Sequence, residues 1–361
     1  MKKNKKILYA ASTATHLRRF HMPYIEALKK DADVCLMATG DGVDFPILFD
    51  KHYFSFANLR SLFAIRKILK KEQFDLVVLN TTLTAFWVRA AMFGMRKRPF
   101  VLNIVHGYLF PYNGGGLKKR ILLFCEKLMR KKTDAIAVMN REDLKTAKQY
   151  KLCRGKVYFT CGMGLANSYA TLCERDSVLR SQYASAEQIL CTYVGELSGR
   201  KNQSFLIRAT KQLKDQGLPI RLLLVGEGSE YDALQEEIKS LGLQEDVFLV
   251  GHSDQVPALL AITDLYVSAS VSEGLPFNLM EAMAFGLPIL ASNVRGQSDL
   301  LLKRTEMLYP LGDMEAFCLQ LMEFYNTKKL GMNAYSYGEL EQYLLSEVFE
   351  ENMKILRTGL E

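Results

Sequence analysis

The chain has 361 residues, 49% hydrophobic and 24% charged, which is too long for one ordinary core and suits two α/β domains of a globular protein. Its seven cysteines are odd in number and include no Cys-x-x-Cys pair, which argues against a disulfide framework or structural zinc and for a reducing cytoplasm. The net charge of +8 is uneven: residues 1–165 hold 31 basic and 12 acidic residues, a balance of +19, and the remainder stands at −11. Only the first half is therefore suited to an anionic surface, whether lipid, a pyrophosphate-linked acceptor or nucleic acid, unless its charges are simply solvated helix faces.

From the N-terminus, a lysine-rich start gives way to an apolar run at 7–11, too short for a signal peptide and suited to a buried first strand. No stretch approaches the ~18 apolar residues of a membrane span. Further strands are predicted at 34–38, 76–79, 100–105, 135–139 and 157–159, with helical periodicity between them at 16–30, 59–71, 83–93, 117–130 and 141–150. After a connector at 162–187 a second series begins. Its strands are predicted at 189–194, 220–225, 247–250, 265–269 and 288–292, its helices at 203–216, 230–241, 256–261 and 277–285, and a helical tail at about 313–357. Strand alternating with helix implies parallel sheets covered on both faces. The expected fold class is α/β, with two Rossmann-like α/β/α domains facing across a cleft. Residues 1–165 would bind acceptor and 166–335 donor, with 336–361 packing back toward the first domain.

Ligands of such sheets bind beyond the carboxyl ends of the strands. The segment Ser272-Glu273-Gly274-Leu275-Pro276-Phe277-Asn278-Leu279-Met280-Glu281-Ala282 lies in that position. Gly274 permits close backbone approach to a ligand, Pro276 opens a helix, and Gly286 ends it. Free N–H groups from Phe277 to Leu279, with the helix dipole, suit a phosphate. Glu273 and Glu281 could then bind hydroxyls on either side of it, as the ribose and hexose of a nucleoside-diphosphate sugar require.

This stretch resembles the signature of the family 4 glycosyltransferases, retaining enzymes of the GT-B fold found in bacterial capsule and exopolysaccharide assembly. The resemblance rests on two glutamates in E-G-x-P and E-A-M-A-x-G-x-P settings, and it implies Glu273 on the donor hexose and Glu281 on the ribose. Gly195 to Asn202 is similar to the family's diphosphate-binding segment. Lys201 matches, Glu196 stands where the family has Arg, and Arg200 is a candidate replacement because guanidinium grips phosphate in a fork. The resemblance further implies that Gly226 and Gly251-His252 lie near the base. It also implies that His106, followed by Gly107, serves the hexose and reacting centre. The glycine-rich loop 111–116 that follows is by its composition a candidate gate for acceptor entry. Thr13, Thr15 and His16, after the first strand, are candidates for phosphate or acceptor, with Thr15 equally suited to capping a helix; His21 is a further acceptor candidate.

The implied reaction moves a hexosyl or N-acetylhexosaminyl group from a UDP-sugar to a lipid-linked or oligosaccharide acceptor. No cofactor, no metal and no nucleic acid are expected. The enzyme would be cytoplasmic and peripheral on the inner face of the membrane. Basic clusters at 66–71, 96–98, 118–120 and 130–132 and the helix 117–130 would meet anionic lipid. The competing readings are a GT-B sugar-nucleotide epimerase and a non-catalytic binding module.

Overall fold

Every apolar run read as a strand forms one. The computed structural model describes residues 5–50, 55–110, 116–170, 174–327 and 337–360, which fall into two compact units, Met1–Gly164 with Leu345–Glu361 and Leu165–Leu344.

In the first unit the strands are β1 (Lys6–Thr13), β2 (Asp33–Thr39), β3 (Phe45–Pro46), β4 (Leu76–Asn80), β5 (Phe100–Val105), β6 (Ala135–Val138) and β7 (Val157–Phe159). They form one parallel sheet in the order β3-β2-β1-β4-β5-β6-β7. The second unit has β8 (Ile189–Val194), β9 (Ile220–Val225), β10 (Val247–Gly251), β11 (Leu265–Ser268), β12 (Ile289–Ser292) and β13 (Leu308–Tyr309). Its parallel order is β10-β9-β8-β11-β12-β13. The central strands are buried along their whole length, as sheets covered on both faces require. In each sheet the strand order reverses beside the first strand, between β1 and β4 and between β8 and β11. Those reversals open the crevices in which open α/β sheets hold ligands.

Two helical expectations are corrected. The run 16–30 is not one helix but two, Ala14–Phe20 and Met22–Lys29, broken at His21 (φ −122°, ψ −10°). Pro23 is the cause, since it has no N–H and its ring clashes with the carbonyl four residues back. The break turns His21 fully inward. The cap of the first helix is Thr13, whose hydroxyl accepts from the His16 N–H, so Thr15 is an exposed helical residue and not the cap. The tail is also interrupted, into Met314–Asn326, Tyr337–Glu341 and Leu345–Arg357 among the described residues.

The helix Leu345–Arg357 belongs to the first unit. Its Asn352 is buried, donates to the Tyr24 hydroxyl (2.9 Å) and the Gly162 carbonyl (2.8 Å), and accepts from Thr160 Oγ1 (2.6 Å). Phe349 stacks on Tyr24 with ring centroids 5.2 Å apart. A second buried polar contact ties the helix Thr82–Ala91 to the helix Leu117–Met129. Arg89 grips Glu126 through two nitrogens (2.8 and 3.0 Å) and also donates to Thr133 Oγ1 (3.1 Å) and the Ala85 carbonyl (2.7 Å).

Candidate functional site

The second unit gathers its charges at the β8/β11 reversal. β8 ends at Val194, and the following loop carries Arg200 and Lys201 back over the sheet, where the Arg200 carbonyl accepts from the Val271 N–H (2.8 Å) beyond β11. That brings Lys201 Nζ to 2.6 Å from Glu273 Oε1 and Arg200 Nη1 to 3.0 Å from Glu273 Oε2. Arg295, after β12, donates to the Glu273 carbonyl (3.2 Å) and to Ser272 Oγ (3.1 Å). Burial pushes the Glu273 carboxyl up, but Lys201, Arg200 and the Ser270 hydroxyl outweigh it and hold the group below the usual carboxylate range. Burial likewise lowers the Lys201 ammonium, partly offset by Glu273. The result is an ionised acid inside a cationic cradle. Glu196, in the place of the family's arginine, is exposed.

Next to this cluster runs the helix Phe277–Ala284, with Pro276 at its cap and Glu281 buried in its second turn. Asn278 Nδ2 donates to the Val194 carbonyl at 2.5 Å, fixing the helix to the end of β8. The donor set expected at this helix end is smaller than predicted. The Leu279 N–H is taken up by the Pro276 carbonyl (3.2 Å) and the Asn278 side chain (3.0 Å).

The glycines that follow β8 and β9 and that end β10 lie side by side. Gly195 donates to the Val225 carbonyl and Gly226 to the Gly251 carbonyl, both at 2.8 Å. A Cβ on Gly226 would stand 2.1 Å from the Gly195 oxygen, and one on Gly228 2.0 Å from the Leu197 oxygen. Close packing of these loops on one another already demands glycine here. His252 is exposed and 3.5 Å from Asp254. Beneath the site, Gln297 is buried and donates to Ser268 Oγ (2.5 Å), and Ser292 Oγ donates to the Ser270 carbonyl (2.6 Å).

In the first unit, the ends of β1 and β5 bring three histidines together. His21 Nε2 is 3.3 Å from His16 Nε2, and Tyr9 OH is 2.9 Å from His21 Nδ1. The His106 ring stands edge-on to both other imidazoles, with centroids 4.8 Å from His16 and 5.2 Å from His21. Its Nε2 is buried and finds no hydrogen-bond partner among the described residues. Burial lowers all three rings, His16 to about 4 and the other two well below their ordinary value, and neighbouring imidazoles add to the shift of His21 and His106. The set is therefore neutral at pH 7. At the β1/β4 reversal, Thr81 has φ +70° and ψ 140°, a backbone that β-branched residues rarely adopt, and its hydroxyl lies 2.6 Å from Ser12 Oγ. The expected gate at 111–116 lies outside the described residues but for Gly116.

Not every basic cluster faces outward. Arg66 caps the helix Thr82–Ala91 through the Ala91 and Phe93 carbonyls (2.8 and 2.5 Å), and Arg98 grips Asp134 (2.5 and 2.7 Å). Arg60, Lys67, Lys70, Lys71, Arg120 and Arg130 are exposed. On the same helices Leu117, Ile121, Phe124 and Leu128 are exposed, as are Phe56, Leu59 and Phe63 on the helix Phe56–Glu72. The helix Thr82–Ala91 packs against both. The second stripe escaped the sequence reading because the predicted helix began only at residue 59. The signal was there in Ser55, which accepts from the Asn58 N–H as an N-cap.

Comparison with known proteins matches this organisation on both sides. A family described as "Glycosyl transferase 4-like domain" matches residues 9–157, and one described as "Glycosyl transferases group 1" matches residues 176–340. EpsD of Bacillus subtilis is 27% identical over 339 residues, covering 90% of this chain and 89% of its own. The UDP-Gal:alpha-D-GlcNAc-diphosphoundecaprenol alpha-1,3-galactosyltransferase of Escherichia coli is 24% identical over 287 residues, covering 76% and 72%. Among solved structures, HepE of Anabaena in complex with UDP and glucose aligns with a TM-score of 0.76 at 18% identity over 98% of this chain and 100% of that one. Sucrose-phosphate synthase of Thermosynechococcus elongatus aligns at 0.78, 15% identical over 99% of each. With one glycosyltransferase domain matched on each unit, and neighbours that share the fold along almost its whole length, the chain belongs to the GT-B glycosyltransferases of the group 1, family 4 type.

Proposed function

We propose that this glycosyltransferase moves a hexosyl or N-acetylhexosaminyl group from a UDP-sugar to a polyprenyl-pyrophosphate-linked saccharide, with retention and with no divalent ion at the diphosphate. The observation that carries the reading is the buried Lys201–Glu273 pair, flanked by the partly exposed Arg200, beside the helix that bears Glu281. Lys201, Arg200 and the helix N-terminus supply positive potential for a leaving diphosphate, which is electrostatic catalysis without a metal. Glu273 accepts from hexose hydroxyls, and Glu281 from the ribose. His106, by the family resemblance, serves the reacting sugar. Thr13, Thr15 and His16 remain candidates for the acceptor side.

UDP is supported as the nucleotide by the solved complexes of HepE. A lipid-linked acceptor is supported by the Escherichia coli relative and by a Campylobacter jejuni relative whose acceptor is a diNAcBac-PP-undecaprenol saccharide. No helix among the described residues is long and apolar enough to cross a membrane. The exposed stripes Phe56-Leu59-Phe63 and Leu117-Ile121-Phe124-Leu128, flanked by exposed basic residues, suit a shallow seat in an anionic leaflet.

Incubation with UDP-sugars and synthetic undecaprenyl-pyrophosphate saccharides, with EDTA present, tests the reading. A product with the anomeric configuration of the donor supports it. Inversion, a requirement for Mg2+, or release of an epimerised sugar nucleotide without acceptor would overturn the corresponding part.

A further inference from the structure

We propose that His16, His21 and His106 bind a single zinc ion. The three rings come from three separate pieces of chain: the helix after β1, the break before Pro23, and the loop after β5. Their ligand atoms all lie within 4.8 Å of one another. Zinc binds imidazole nitrogen at about 2.0–2.1 Å in a tetrahedron, so two nitrogens on one ion stand about 3.3–3.4 Å apart. His16 Nε2 and His21 Nε2 are 3.3 Å apart.

A hydrogen bond between those two nitrogens would account for the pair alone. It would leave His106 Nε2 buried with no partner, a costly arrangement for a polar atom. A metal would give that nitrogen a partner as well. Tyr9, fully buried, holds His21 Nδ1 at 2.9 Å, as the outer partner of a ligating imidazole does. Three histidines leave the fourth position for water or an exogenous ligand, and imidazole suits zinc, copper, iron and nickel while disfavouring magnesium. Where His106 serves the hexose, a bound ion competes for its nitrogen. That consequence rests on the proposed reaction; the binding does not.

The test uses the full chain without a histidine tag, stripped with chelator and titrated with Co2+ and then Zn2+. The expected result is one Co2+ per chain with a visible d–d spectrum, displaced by one Zn2+. Tyr9→Phe should weaken binding about 10–100-fold. His16→Ala should weaken it at least as much and His106→Asn should change the spectrum, while His252→Ala leaves both unchanged. Thermal melts of each variant separate loss of metal from loss of fold. Absence of a spectrum and of stoichiometric zinc in the folded parent chain overturns the site. So does binding that survives His16→Ala with His106→Asn, since the ion would then sit on cysteines or elsewhere.

Discussion

Lys201 and Glu273 meet at 2.6 Å with both side chains nine-tenths buried or more, and each is the other's chief electrostatic compensation. A buried pair with one member removed typically costs about 3–5 kcal/mol, because a charge is left unbalanced. The Arg200 side chain, 45% exposed, is partly hydrated and lessens that loss. Glu273→Gln is expected to lower the melting temperature by several degrees and turnover by about 100-fold or more. Differential scanning calorimetry and initial rates on the same preparation check both. A variant with parental turnover would remove Glu273 from the transfer step.

The same pair sets an acid limit. Glu273 has a folded pKa below its ordinary value of 4.5, so its stabilisation is fully present above about pH 4.5 and is lost as the pH falls through the folded value. Melting temperatures from pH 6 downward should drop more steeply below 4.5 in the parent than in Glu273→Gln. Parallel curves would show that other carboxylates control acid unfolding.

Donor binding should be visible without catalysis. A ligand that binds only the folded state raises the melting temperature by mass action. UDP in EDTA is expected to do so, with a smaller shift in Lys201→Ala and in Glu281→Gln. An equal shift in all three proteins would move the nucleotide away from this cluster.

The helix bearing the outward stripe is held from behind. Arg89 and Glu126 are both fully or almost fully buried, so Glu126→Ala is expected to cost about 3–5 kcal/mol, and pairing it with Arg89→Met should recover part of that. Urea unfolding of the single and double variants measures the difference. A single variant of parental stability would mean that Arg89 finds other partners.

The proposed seat on an anionic leaflet uses both stripes. Phe63→Glu and Phe124→Glu should each reduce co-sedimentation with vesicles rich in anionic lipid, and raised salt should weaken it in the parent. Sedimentation indifferent to lipid charge would leave the exposed phenylalanines without this role.

Long regular elements were the legible part of the sequence. The strands at 100–105, 157–159, 189–194 and 220–225 have the limits that their apolar runs suggest. β3 and β13 were not legible because two residues carry no period; they exist only by pairing with a neighbour. The break at His21 was available from Pro23 but lay inside a convincing helical period, and with it went the inward turn that unites three histidines. Of the basic clusters, Arg66 and Arg98 look like surface charge in sequence. Their partners are backbone carbonyls and an aspartate more than twenty residues away, and only the fold brings these near. In the candidate donor cluster the residue types were readable, but the direct grip of Lys201 on Glu273 needed the loops after β8 and β11 side by side.

The first unit is discontinuous in sequence, and Asn352 with its three buried hydrogen bonds lies in the returning segment. On the ribosome, residues 165–344 therefore emerge before the helix that completes the earlier unit. Domains tend to fold as units while synthesis proceeds, so the later-made unit can finish first, while the earlier one waits with the groove around Tyr24 and Gly162 uncovered. A premature stop near codon 345 would spare the whole second unit and damage the first.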